Sequence, residues 1–116
     1  MNYKFVLVFG AAFLIFLSGC TSPEDLNVPE ETTALDNAKI ACTELCDDAI
    51  SQGMDLSNGP CLGNPIEGAS TYVCDIAHSP RADVDNLPEN QCSAYREGIA
   101  THFVELDEQC NLIKVH

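Results

Sequence analysis

The chain is predicted to fold as a small disulfide-rich α+β domain, with one N-terminal helix stapled onto a short antiparallel sheet of three to four strands. Three observations predict it. Leu35, Ala38, Cys42, Leu45, Cys46 and Ala49 recur at three- and four-residue steps, which is the period of one helix face. Downstream, Thr71 to His78 alternates along a strand length, and His102 to Leu106 and Cys110 to Val115 form two further short apolar-rich runs, as strands do. Finally, seven cysteines, no tryptophan and few aromatic residues in 116 positions describe a chain too small to rest on buried apolar area alone, so cross-links are expected to share the work.

The elements follow in order from the amino terminus. Lys4 is followed by a wholly apolar run from Phe5 to Leu17. That run is shorter than the roughly 20 apolar residues a helix needs to span a bilayer core, and it has the length of a signal-peptide core. It closes on Leu17-Ser18-Gly19-Cys20, which resembles the lipobox of bacterial-type lipoproteins, a class that some archaea also use. The resemblance implies that Cys20 takes a diacylglyceryl group and that a dedicated peptidase cuts between Gly19 and Cys20. Residues 1–19 are then the signal peptide, and the mature protein is expected at the extracytoplasmic face of a membrane. Firm hold there needs two acyl chains or more, because a single chain binds only marginally. The resemblance ends at Cys20, and the mature domain resembles no family on its residues.

Cysteine arithmetic agrees with that reading. An odd count in an exported protein flags a thiol with another fate. Assigning Cys20 to lipid leaves Cys42, Cys46, Cys61, Cys74, Cys92 and Cys110, an even set able to make three bridges in fifteen pairings that spacing does not choose between. Residues 20–32 carry Pro23, Pro29 and four acids without apolar periodicity, so they read as the lipidated cysteine and an acidic tether. The domain is placed at 33–116. Its helix is expected from an N-cap at Thr33 to about Gln52, with Gly53 as the stop. Cys42 and Cys46 are four apart and share a face, so each is expected to bridge to another segment. Asn58 to Pro65 is turn chemistry and a candidate display loop. In Thr71 to His78, Tyr72, Cys74, Ile76 and His78 take one face and Val73, Asp75 and Ala77 the other. His102 to Leu106 and Cys110 to Val115 form a hairpin around Asp107-Glu108-Gln109.

Charge narrows the partners. The precursor carries 18 acidic and 5 basic side chains, and only Lys39, Arg81, Arg96 and Lys114 remain after residue 19. Single cations scattered among acids are a poor match to a phosphate backbone, so nucleic acid is not an expected partner. The membrane, through the lipid anchor, and a protein or cation ligand are. An acidic surface of this kind fits a saline habitat as well as an acidic binding face.

Three chemistries compete for a site. Cys42 and Cys46 with His78 and His102 have metal-ligand chemistry, but export favours cystine for the thiols. His78, Ser79, His102, Asp75 and Glu105 contain the parts of a small hydrolase, without any nucleophile elbow, zinc-protease helix or phosphate loop to arrange them. The enzyme reading is therefore the weaker one. Asp83, Asp85 and Glu89 offer oxygen ligands for calcium or a basic partner, in a spacing that departs from the EF-hand because Leu87 and Pro88 fall where an oxygen ligand and a glycine are needed. The stretch from Ser79 to Gln91 is expected to be a fixed surface loop pinned by Cys74 and Cys92, with Arg81 organising those carboxylates by paired hydrogen bonds.

Overall fold

The helix α1 spans Glu30–Ser51. It begins three residues ahead of the expected cap, so Thr33 lies inside it. Its end is as expected. Gly53 takes φ +75°, its N–H donates to Ile50 O, and the Met54 N–H reaches back to Ala49 O at 2.9 Å, a Schellman closure that needs a left-handed residue. The computed structural model describes Gly19 and residues 30–116, so residues 1–18 and 20–29, on which the expected signal peptide, the lipidation of Cys20 and most of the acidic tether fall, lie outside the described residues. Among the described residues no helix is long and apolar enough to cross a membrane.

The buried face of α1 is Ala38, Cys42, Cys46 and Ala49, flanked by the half-buried Leu35 and Leu45. It is the face the periodicity marks. Four small side chains let the helix approach closely but bury little apolar area, and the cysteines supply what packing does not. Cys42 bridges to Cys74, Cys46 to Cys110, and Cys61 to Cys92. The two helical cysteines thus tie α1 to two different strands' neighbourhoods, and the third bridge lies off the helix.

Four strands form one sheet in the order β1-β2-β3-β4: β1 is Cys61–Gly63, β2 Tyr72–Ile76, β3 His102–Leu106 and β4 Leu112–Val115. The β1–β2 and β3–β4 pairs are antiparallel, but β2 and β3 run parallel, with Tyr72 opposite His102 and Asp75 opposite Glu105. The all-antiparallel expectation is corrected at this central pair. Residues 77–101 are a crossover long enough to return the chain to the starting end of the sheet, as parallel strands require. That crossover contains two 3-10 turns, Asp83–Asn86 and Pro88–Asn90, and a one-turn helix α2, Ser93–Arg96.

Two smaller expectations are also revised. Asn58 to Pro65, expected to be turn, has the edge strand β1 at its centre. Asn64 Oδ1 accepts the Ala94 N–H at 2.7 Å while its Nδ2 donates to Ser93 Oγ, so this segment caps α2 from outside. Cys110 lies in the hairpin turn and not in β4, with φ 65°. The turn is organised by Asp107, whose Oδ1 accepts the N–H groups of Gln109 and Asn111.

The alternation predicted in β2 holds, yet every residue of the strand is buried. Tyr72, Cys74 and Ile76 face α1 together with Val104 and Leu106, and Val73 faces a second cluster built from Cys92, Ala94 and Ala100. The sheet is therefore covered on both faces, by α1 on one and by the crossover on part of the other.

Candidate functional site

Where the crossover fails to cover the second sheet face, a cleft of about 600 Å³ opens. Its floor is the outward side of three neighbouring strands: Val73 and Asp75 of β2, Phe103 and Glu105 of β3, and Lys114 of β4. Alternation selects these residues, and the parallel register sets Asp75 beside Glu105 while the antiparallel register sets Glu105 beside Lys114. Its walls come from the crossover, with Arg81 at one side and Tyr95 and Arg96 at the other. The Cys61–Cys92 bridge pins that wall to the edge strand.

Asp75 is the unusual member. It is 9 % exposed, and its Oδ1 is buried with no hydrogen-bond partner. Leaving a polar atom in that state costs about 1–3 kcal/mol, and stranded groups of this kind in native proteins ask for an explanation. Burial, reinforced by the charges of Glu105 and Asp85 and only partly opposed by Arg81, pushes the Asp75 carboxyl up to about 7. Near neutral pH it is therefore divided between a hydrogen-bond donor and an acceptor. Glu105 is held differently, since Arg81 Nη1 donates to its Oε1 at 2.7 Å. Tyr95 packs edge-on against Phe103, with centroids 5.2 Å apart, and Lys114 Nζ stands 5.6 Å from the Phe103 centroid. Arg96 donates to Pro88 O, and among the described residues neither Arg96 nor Lys114 is in an ion pair. Three of the four basic residues that follow residue 19 thus meet in one cleft of a strongly acidic chain.

The residues singled out from sequence fall in other places. His78 and His102 do not meet. His102 opens β3 opposite Tyr72, on which it stacks at 4.8 Å, whereas His78 lies six residues beyond Tyr72, on the order of 20 Å away at strand rise. The two imidazoles are therefore not brought together, and Ser79 is exposed. The cysteines expected to be cystine are all bridged. Asp85 turns inward while Asp83 and Glu89 stand exposed, so the three carboxylates do not form one ligand set. Arg81 does not gather them either: it donates to Asn86 Oδ1, Asp85 O and Glu105 Oε1, joining the crossover to β3.

Asp85 has a structural task. Its carboxylate accepts the backbone N–H groups of His78 at 3.0 Å and Ala82 at 2.8 Å, and its Oδ1 lies 2.8 Å from His78 Nδ1. His78 Nε2 reaches Glu108 Oε1 at 3.1 Å, so one imidazole clasps the crossover to the β3–β4 turn. The Asp85 bond, with the neighbouring charges and against some burial, raises the His78 pKa. Burial pushes the Asp85 carboxyl up, but the two backbone N–H groups and His78 outweigh it, and the net shift is downward.

These shifts set a pH dependence. The His78 contribution is complete below its unfolded pKa, near 6.5, and disappears as pH rises through the higher folded value, while that of Asp85 holds above about 3.9 and is lost as pH falls through its lowered one. Asp75, an acid with a raised folded pKa, subtracts stability as pH climbs from about 3.9 past 7. Thermal melting is therefore expected to peak near pH 4–6 and to decline toward pH 8. His78→Gln and Asp75→Asn should each flatten part of that decline, and a profile rising from pH 5 to 8 would contradict the assignment.

Comparison with protein-family models, curated proteins and solved structures finds no match to the chain. Function is therefore argued from the cleft itself. Its aromatic wall and its cations carry no motif in the sequence. The one signal available there is an aspartate in the middle of an apolar strand, at a position whose neighbours Val73 and Ala77 are core residues.

Proposed function

We propose that this chain is a lipid-anchored extracytoplasmic binding module, held to the membrane through Cys20 and presenting the Asp75 cleft to a ligand. The lipobox-like Leu17 to Cys20 supports the anchoring, and three bridges among the other six cysteines accord with an oxidising compartment. The observation that carries the binding reading is the stranded Asp75 Oδ1 at the floor of a concave, partly aromatic site with a few convergent charged groups, the composition of a small-molecule site. A ligand polar group bonded to the Asp75 carboxyl would offset the cost of that burial. Catalysis is not part of this reading.

Two measurements test it. Cys20→Ser is expected to abolish incorporation of labelled palmitate and to release the protein from membranes, an all-or-none effect, since Cys20 is the acylation point the lipobox presents. Continued labelling would refute the anchor. For the binding half, a fragment screen by amide NMR on the full chain in detergent, using anionic, cationic and neutral fragments, should return hits that converge on Val73, Asp75 and Glu105. Hits scattered over the surface, or none, would refute it.

A further inference from the structure

Charge in the cleft is distributed in a way that specifies its occupant. The chain is 13 charges negative overall, and an acidic protein gains nothing for solubility by collecting its few cations. Yet Arg81, Arg96 and Lys114 line one site. Arg81 is neutralised by Glu105, which leaves Arg96 and Lys114 as positive charges without a carboxylate partner among the described residues. The charges acting on Asp75 are those of Glu105 from the sheet and of Arg81 and Asp85 from the crossover, and Lys114 of the sheet and Arg96 of the crossover line the same cleft. In its neutral form Asp75 carries an O–H that can donate, and the site is then a positive concavity with one buried donor. Phe103 and Tyr95 add an apolar wall beside it, suited to the body of a ligand and not to its charge.

We propose that the cleft binds a small organic carboxylate with an apolar or aromatic body, recognised by a hydrogen bond from Asp75 and by the charges of Arg96 and Lys114, with the body against Phe103 and Tyr95. The inference rests on the binding reading above and adds the chemical class. A cationic ligand would meet two unpaired cations, and a neutral one would leave them unused. An anion instead favours the protonated Asp75, so it binds together with a proton taken from solvent.

The test compares three probes of one shape on the full chain in detergent: benzoate, benzylamine and benzyl alcohol, followed through the amide resonances of Val73, Asp75 and Glu105. Benzoate is expected to shift them saturably, about tenfold more tightly at pH 6 than at pH 8, because only the fraction with neutral Asp75 is competent. Benzylamine and benzyl alcohol should not saturate. Lys114→Gln should weaken benzoate roughly tenfold, the size of one lost charged interaction. In Asp75→Asn, whose amide N–H replaces the acid O–H, the pH dependence should vanish. Preference for benzylamine or benzyl alcohol at the same amides overturns the carboxylate inference while leaving the binding reading intact. Benzoate binding with no pH dependence in the wild type overturns the role of Asp75 and with it the proposal. If no probe moves these amides, the proposal fails, and the charge-diverse fragment screen decides the binding reading separately.

Discussion

Full reduction of the three disulfides is expected to unfold the domain at moderate temperature. The buried helix side chains at the interface are Ala38, Cys42, Cys46 and Ala49, with the half-buried Leu35 and Leu45 beside them, so once the bridges are cut its contact with the sheet rests mainly on small side chains. The bridges close loops with sequence separations of 32, 64 and 31. Restricting the unfolded chain over such loops stabilises by about 2–4 kcal/mol per bridge, with the longest at the upper end. Even with incomplete additivity, the total is comparable to the roughly 5–15 kcal/mol by which whole domains are stable. Circular dichroism melts with and without reductant check this, and a cooperative transition unchanged after complete reduction would contradict it. The Cys46→Ala/Cys110→Ala pair should be the most damaging of the three double replacements, because it frees both the longest loop and the β3–β4 turn from α1. Alkylation of the unreduced protein should label none of the six.

Asp85→Ala is expected to be the most destabilising single replacement in the crossover, by about 3–5 kcal/mol, the range for removing one partner of a buried, hydrogen-bonded charge. The carboxylate is fully buried and serves the N–H groups of His78 and Ala82 as well as the His78 ring. Alanine leaves those donors unanswered and opens a void. Asp85→Asn, which keeps the shape and one acceptor oxygen, should cost about half as much. Gly59→Ala probes the same spot from the other side. A Cβ there would lie 2.5 Å from Asp85 Oδ1 and 2.9 Å from Ile76 O, at φ +64°, so both the backbone angle and the space oppose it, with an expected cost of about 2–4 kcal/mol. Urea midpoints for the three variants test the ranking, and an Asp85→Ala midpoint close to wild type would show that the clasp is dispensable.

Both expectations bear on the cleft, because the clasp and the Cys61–Cys92 bridge hold its two walls. Residues 77–101 form one side of the site while carrying no long regular element. Their position depends on His78–Asp85, Arg81–Glu105, the Asn64 cap on α2 and one disulfide. Loss of the clasp should therefore loosen the Arg81 wall before it disturbs α1.

What the sequence determined by itself was local. The face of α1, its Gly53 stop, the β3–β4 hairpin, the alternation along β2 and the outward bridging of Cys42 and Cys46 are all written in periods of 3.6 or 2 and in turn residues, which act over a few positions. Asp75 and Glu105 could be named as acids of interest, and Arg81 as an organiser, but not their companions. Tertiary structure decided the rest: which cysteines pair, that β2 and β3 run parallel, that Asn58 to Pro65 supplies an edge strand, that His78 meets Asp85 and Glu108 in place of His102, and that Arg96 and Lys114 line the same cleft as Asp75. Most of these turn on which distant segments meet, and the bridges alone span 31 to 64 residues of chain. The entropy of closing such loops changes only slowly with length, so spacing hardly separates the alternatives, and the choice falls to the combined packing of both sheet faces.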